Sequence, residues 1–155
     1  MDVTVEEMPS LRVATVSHVG PYTEISEAFQ RLGSIAASAG LLRGDAMMVA
    51  IYYEDPQTTR PQDLHSDAGV TVADSVRLPS GVVEKRLPAG RYARATHIGP
   101  YGTLPDAWSQ MMRKSLPRSA LKIGQGPTFE VYRNDPSNTP PEKLCTDLYV
   151  PIGER

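Results

Sequence analysis

Glu130 stands inside Phe129-Glu130-Val131-Tyr132, a carboxylate set in a run of β-forming residues. Side chains alternate along an extended strand, which puts Glu130 and Tyr132 on one face and Phe129 and Val131 on the other. An unpaired carboxylate in an apolar pocket is costly, and its pKa rises unless a cation stabilises the charged form. Two chemistries follow: holding an amphipathic or cationic small molecule, or activating water and moving a proton. The competing reading is a solvent-facing glutamate, or one paired with a buried arginine such as Arg94. Tyr132 on the same face favours a cavity. Trp108, Tyr92, Tyr101 and Tyr22 are the rings that would line it, and a cation over such a ring gains about 0.5–2 kcal/mol.

Other groups carry less chemistry. Three histidines and the lone Cys145 are scattered without metal-ligand spacing, and no phosphate-binding loop or nucleophile elbow occurs, so neither a metal nor a cofactor is expected. One cysteine forms no intramolecular disulfide and fits a reducing, cytoplasmic setting.

The elements that position these residues come in two copies. "HVGPY" at 18–22 returns as "HIGPY" at 97–101, 79 positions on, and the match runs outward from both. Ala28 falls on Ala107 and Phe29 on Trp108; Val13 falls on Tyr92. "AIYYEDP" (50–56) lies over "FEVYRNDP" (129–136) with one extra residue in the second copy, and at the offset of 79 Glu130 falls on Ile51. From residue 59 onward the offset is 80, which pairs Asp67 with Asp147, a match that favours a structural role for both in the last strands. Each copy reads as a strand, a Gly-Pro turn, a helix and two more strands, with an extra strand in front. His18 and His97 are read as residues that hold the strand-to-helix turns. Thr59 and Thr139, three residues before Gln62 and Glu142, read as capping boxes opening a helical turn. The expected fold is α+β: a pseudo-twofold tandem repeat forming an antiparallel sheet, with two long helices on one face. Residues 1–155 are expected to form a single domain with repeats at about 1–78 and 79–155, because roughly 75 residues seldom bury enough apolar surface alone.

Sixteen basic residues against eighteen acidic give a net charge of −2; the one local basic cluster, "RKSLPR" at 113–118, reads as a solvated helix end, so no direct contact with nucleic acid is expected. No stretch approaches the roughly 20 apolar residues that span a bilayer, so no membrane partner is expected. Oligomeric state is not legible.

"HVGPY"/"HIGPY", "AIYYEDPQTTRPQDLHSDAGVTV" and above all "FEVYRNDPSNTPPEKLCTDLYVPI" resemble the GyrI-like small-molecule-binding domain family, over about Leu11 to Ile152. The chain is most similar to the family's stand-alone branch of bacterial DNA gyrase inhibitors. The resemblance implies a doubled fold with a cleft between its halves and a cleft glutamate at Glu130. It implies effector binding as in AraC-type and MerR-type multidrug regulators, resistance to toxins or drugs by sequestration, and DNA gyrase as a possible partner. The chain opens directly on its first strand, so a stand-alone protein is expected rather than a fused regulator. Some stand-alone relatives imply an alternative: hydrolysis of cyclopropane-containing toxins, with Glu130 as the catalytic group.

Overall fold

The computed structural model describes residues 1–153. It divides into two compact units, Ser10–Pro88 and a second made of Met1–Pro9 with the chain from Ala89 on. The first unit holds β2 (Leu11–Val19), helix α1 (Ser26–Ser38), β3 (Met48–Tyr52), β4 (His65–Thr71) and β5 (Val83–Leu87). Its antiparallel sheet runs β3-β4-β2-β5. The second unit holds β1 (Thr4–Met8), β6 (Gly90–Ile98), helix α2 (Leu104–Gln110), helix α3 (Leu116–Arg118), β7 (Thr128–Tyr132) and β8 (Cys145–Pro151). Its sheet runs β1-β6-β8-β7, also antiparallel. The architecture is therefore the doubled α+β arrangement that the sequence implies. The leading strand of each sequence repeat, however, pairs in the other unit: β1 lies beside β6, and β5 beside β2. Among the described residues no helix is long and apolar enough to cross a membrane.

Each sheet buries one face under its helix. In the first unit Ala14, Val16, Ala68 and Val70 meet Ala28, Leu32 and Ala36 of α1. In the second, Ala93, Ala95, Leu148 and Val150 meet Leu104, Ala107, Met111 and Leu116. Small residues on the strands let the helices approach closely. Gly20 and Gly99 turn the chain from strand to helix at φ of 127° and 147°, where a side chain is disfavoured. His18 Nε2 then bonds Pro21 O at 3.0 Å and His97 Nε2 bonds Thr103 Oγ1 at 2.8 Å, so both histidines brace these turns. The turns before the last strands form as 3₁₀ helices, Pro61–Asp63 and Pro141–Lys143, without any side-chain cap; Thr59 and Thr139 are not their N-caps.

The extra residue of the second repeat lies in its helix. Leu32 and Met111, 79 apart, are both fully buried. At the helix ends the offset is already 80: Leu41 N–H donates to Ala36 O at 2.9 Å, and Leu121 N–H to Leu116 O at 3.4 Å. Between them Met111–Ser115 winds as a π-helix, and Leu116 N–H reaches back five residues to Met111 O. Insertion of one residue into a helix widens a single turn in this way. Pro117 follows immediately; a proline there has no N–H and its ring would collide with the carbonyl four residues earlier in a regular helix. The left-handed C-terminal residue that is Gly40 in α1 (φ 71°) is Ala120 here (φ 57°).

Candidate ligand site around Glu130

The π turn fixes the true register of β3 against β7. Ile51 stands opposite Asp67 in its sheet and Val131 opposite Asp147, so the counterpart of Glu130 is Ala50, opposite Ala68, and not Ile51. Hydrogen-bonded pairing sets the register, and the extra residue has been absorbed before the strand begins. The contrast sharpens: a carboxylate replaces a methyl group.

Glu130 pairs with Leu148 and sits on the helix-covered face, 2% exposed. Helix α2 brings Trp108 over it, one residue beyond the buried Ala107. The indole N–H donates to Glu130 Oε1 at 2.5 Å. The Tyr132 hydroxyl donates to Oε2 at 2.7 Å, the same-face contact that strand alternation requires. Tyr101 stands with its ring 5.3 Å from that of Tyr132. Burial first, then the charges of Asp135 and Glu130, raise the Tyr101 hydroxyl above its ordinary pKa, so it stays a neutral donor. The site thus offers one buried carboxylate, two neutral donors on separate oxygens and three aromatic rings. Such a group can oppose a cation while the rings stack on flat or greasy substituents.

The remaining two rings fall elsewhere. Tyr92 points to the opposite face of the sheet and is 3% exposed. It makes an edge contact with Phe129 at 5.4 Å and another with Tyr149 at 6.3 Å, while Phe129 and Tyr149 stack at 4.8 Å. Their first-unit counterparts are Val13, Val49 and Gly69, so an aromatic trio replaces a small-residue trio. Tyr22 belongs to the first unit. Its ring lies 4.6 Å from Tyr52, and its hydroxyl donates to Glu54 O at 2.7 Å. Burial, reinforced by the charge of Glu54, pushes its pKa up to about 12.

Sequence reasoning missed the polar groups on the faces away from the helices. Asp67 and Asp147, read as structural, are buried there at 1% and 3% exposure. Asp147 accepts from Thr96 Oγ1 at 2.5 Å through Oδ1 and from Arg133 Nε at 2.6 Å through Oδ2. Arg133 also donates to the Tyr149 hydroxyl at 2.7 Å. Asp67 is bonded by the Tyr53 hydroxyl and, at 2.7 Å, by Lys85 Nζ. The matched spacing of the two aspartates was the available signal; the pairing of the strand that delivers Lys85 was not predictable. Among the described residues no cluster of His, Cys, Asp and Glu could hold a metal ion.

Comparison with known proteins agrees with this architecture. A "DNA gyrase inhibitor" of Serratia proteamaculans is 31% identical over 140 residues, covering 87% of this chain and 88% of that protein. The solved C-terminal domain of EcmrR has the same fold, with a TM-score of 0.81 at 16% identity over 99% of this chain and 98% of that one. SAV2435, solved bound to tetraphenylphosphonium, superposes with a TM-score of 0.73 at 15% identity over 99% of this chain and 94% of that one. The family profile of the GyrI-like small-molecule-binding domain matches residues 1–153, and with that match the chain belongs to the GyrI-like family of small-molecule-binding domains.

Proposed function

We propose that the protein binds amphipathic, lipophilic cations, with Glu130 as counter-charge and Trp108, Tyr132 and Tyr101 as aromatic walls. The observation that carries this is a carboxylate 2% exposed whose two oxygens are bonded by an indole and a phenol. Neutral donors satisfy lone pairs without cancelling the charge. A diffuse, weakly hydrated cation can cancel it at the smallest desolvation cost. The tetraphenylphosphonium complex of the structural neighbour supports the same ligand class. Sequestration of such compounds would serve drug or toxin resistance.

Trp108 is the only tryptophan, so its fluorescence reports directly on the site. Titration with tetraphenylphosphonium should give a saturable change. Glu130→Gln keeps the shape and removes the charge. An ion–ion contact at about 5 Å with an effective dielectric of about 20 is worth about 3 kcal/mol before screening, so affinity should fall about 10- to 100-fold. Unchanged affinity in a folded variant would overturn the reading.

A second reading, interference with DNA gyrase, is favoured by the Serratia relative. A supercoiling assay with purified gyrase tests it, and full activity at excess protein would count against it. Hydrolysis through Glu130 has weaker support, since the indole and phenol donors on its oxygens stabilise the carboxylate and lower its basicity toward water.

A further inference from the structure

The first unit has a pocket of its own, about 360 Å³, on the sheet face away from α1, lined by Ser17, Val19, Tyr53, Glu54, Asp67 and Lys85 among others. Its origin is visible in the matched positions of the second unit. There Arg133, Arg94, Thr96 and Tyr149 surround Asp147 and use both of its oxygens. At the matched positions that line the pocket the first unit has Tyr53 in place of Arg133 and Ser17 in place of Thr96, so fewer donors converge on its aspartate.

The hydrogen-bonding capacity left in that space has a pattern. Both bonds to Asp67 go to Oδ2, from Tyr53 and Lys85, so among the described residues Oδ1 accepts none. Lys85 spends two of its three protons, on Asp67 and on the Tyr53 hydroxyl at 3.3 Å, and its side chain is 39% exposed. The Ser17 hydroxyl is exposed at the rim. Lys85 and Asp67 cancel each other's charge, and Glu54 Oε2 is engaged by His65 Nδ1 at 2.5 Å. A free acceptor therefore stands beside a free donor within an ion pair that carries no net charge. In the second unit Thr96 gives its hydroxyl proton to the equivalent Oδ1, an internal example of the contact on offer.

We propose that this pocket is a second ligand site, taking a neutral small molecule that presents a donor and an acceptor side by side, as a vicinal diol or a carboxamide does. The donor meets Asp67 Oδ1 and the acceptor meets Lys85 Nζ. The site is independent of Glu130 and of cation binding.

Titration of the ¹⁵N-labelled full chain with methyl glucoside, as the diol, and separately with nicotinamide, as the amide, tests this by amide chemical shifts. At least one probe should give saturable shifts centred on Ser17, Val19, Tyr53, Asp67 and Lys85, and the one that does identifies the head group. Ser17→Leu fills the rim without touching the ion pair and should abolish them. Lys85→Met should weaken binding about tenfold or more, the worth of a hydrogen bond from a charged donor. Should Lys85→Met fail to fold, Ser17→Leu decides alone. Glu130→Gln should leave the shifts unchanged. Silence with both probes, or shifts that persist in Ser17→Leu, would overturn the proposal.

Discussion

Gly69 is the position at which the packing of the first unit is most exposed to a single methyl group. A Cβ built there would lie 2.4 Å from Val13 Cγ1, 3.1 Å from Val49 Cγ2 and 3.5 Å from Thr15 Cγ2. Val13 and Val49 are fully buried, so neither can swing into solvent. Relief demands a shift of about 1 Å in a packed layer, and overpacking of that kind costs about 1–3 kcal/mol. Gly69→Ala should therefore lower the urea midpoint at unchanged slope and reduce Tm by about 2–4 °C per kcal/mol in a chain of this size. The clash has a named partner, which gives a stricter test. In a Val13→Ala background the nearest atom is gone, so Gly69→Ala should cost at least about 1 kcal/mol less than in the native background, within the range of measured couplings between touching residues. Strictly additive costs, or a Gly69→Ala protein as stable as the parent, would refute the packing argument.

Other perturbations follow from single features. Ala120→Gly should stabilise by about 0.5–1 kcal/mol in urea unfolding, since a left-handed alanine costs about 1–2 kcal/mol and the added chain entropy of glycine returns part of it; destabilisation would contradict the assigned turn. Trp108→Phe keeps a ring but strips Glu130 Oε1 of its indole donor, and should cost about 1–3 kcal/mol of stability, with no loss counting against that bond. Burial, then the charge of Asp147, raise the Cys145 thiol, with Arg133 and Arg94 opposing. Less thiolate is present at any given pH, so alkylation at pH 8 should be slower in the folded protein than in urea and should rise only above the usual midpoint of about 8.5; equal rates would refute it.

The doubled sequence exposed most of the fold, because matched strands, turns and helices must repeat their local chemistry. Partner choice was not legible: alternation marks β1 and β5 as strands but says nothing of which neighbour pairs with them. The gathering of Glu130 and Tyr132 followed from alternation alone, and Trp108 from its place on the covering helix. Tyr92 was misplaced because an aromatic gain was read without its face; its match to Val13 assigns it to the side opposite the helix. Ile51 was misassigned because the change of offset from 79 to 80 was placed at the strand, and sequence matching cannot locate a π turn. The contact of Lys85 with Asp67 escaped notice for the same reason as the strand pairing.

The exchange of leading strands also orders events during synthesis. The segment Ser10–Pro88 contains every strand of its own sheet and can close once Leu87 has left the ribosome. Thr4–Met8, made before that segment, must wait for Gly90–Arg94 before its ladder exists. Chain closure over such a span is slow compared with local pairing. A strand made early is thus among the last to be folded, and through that interval the Thr-Val-Glu-Glu-Met strand is an unpaired edge, kept from aberrant pairing by the charges of Glu6 and Glu7.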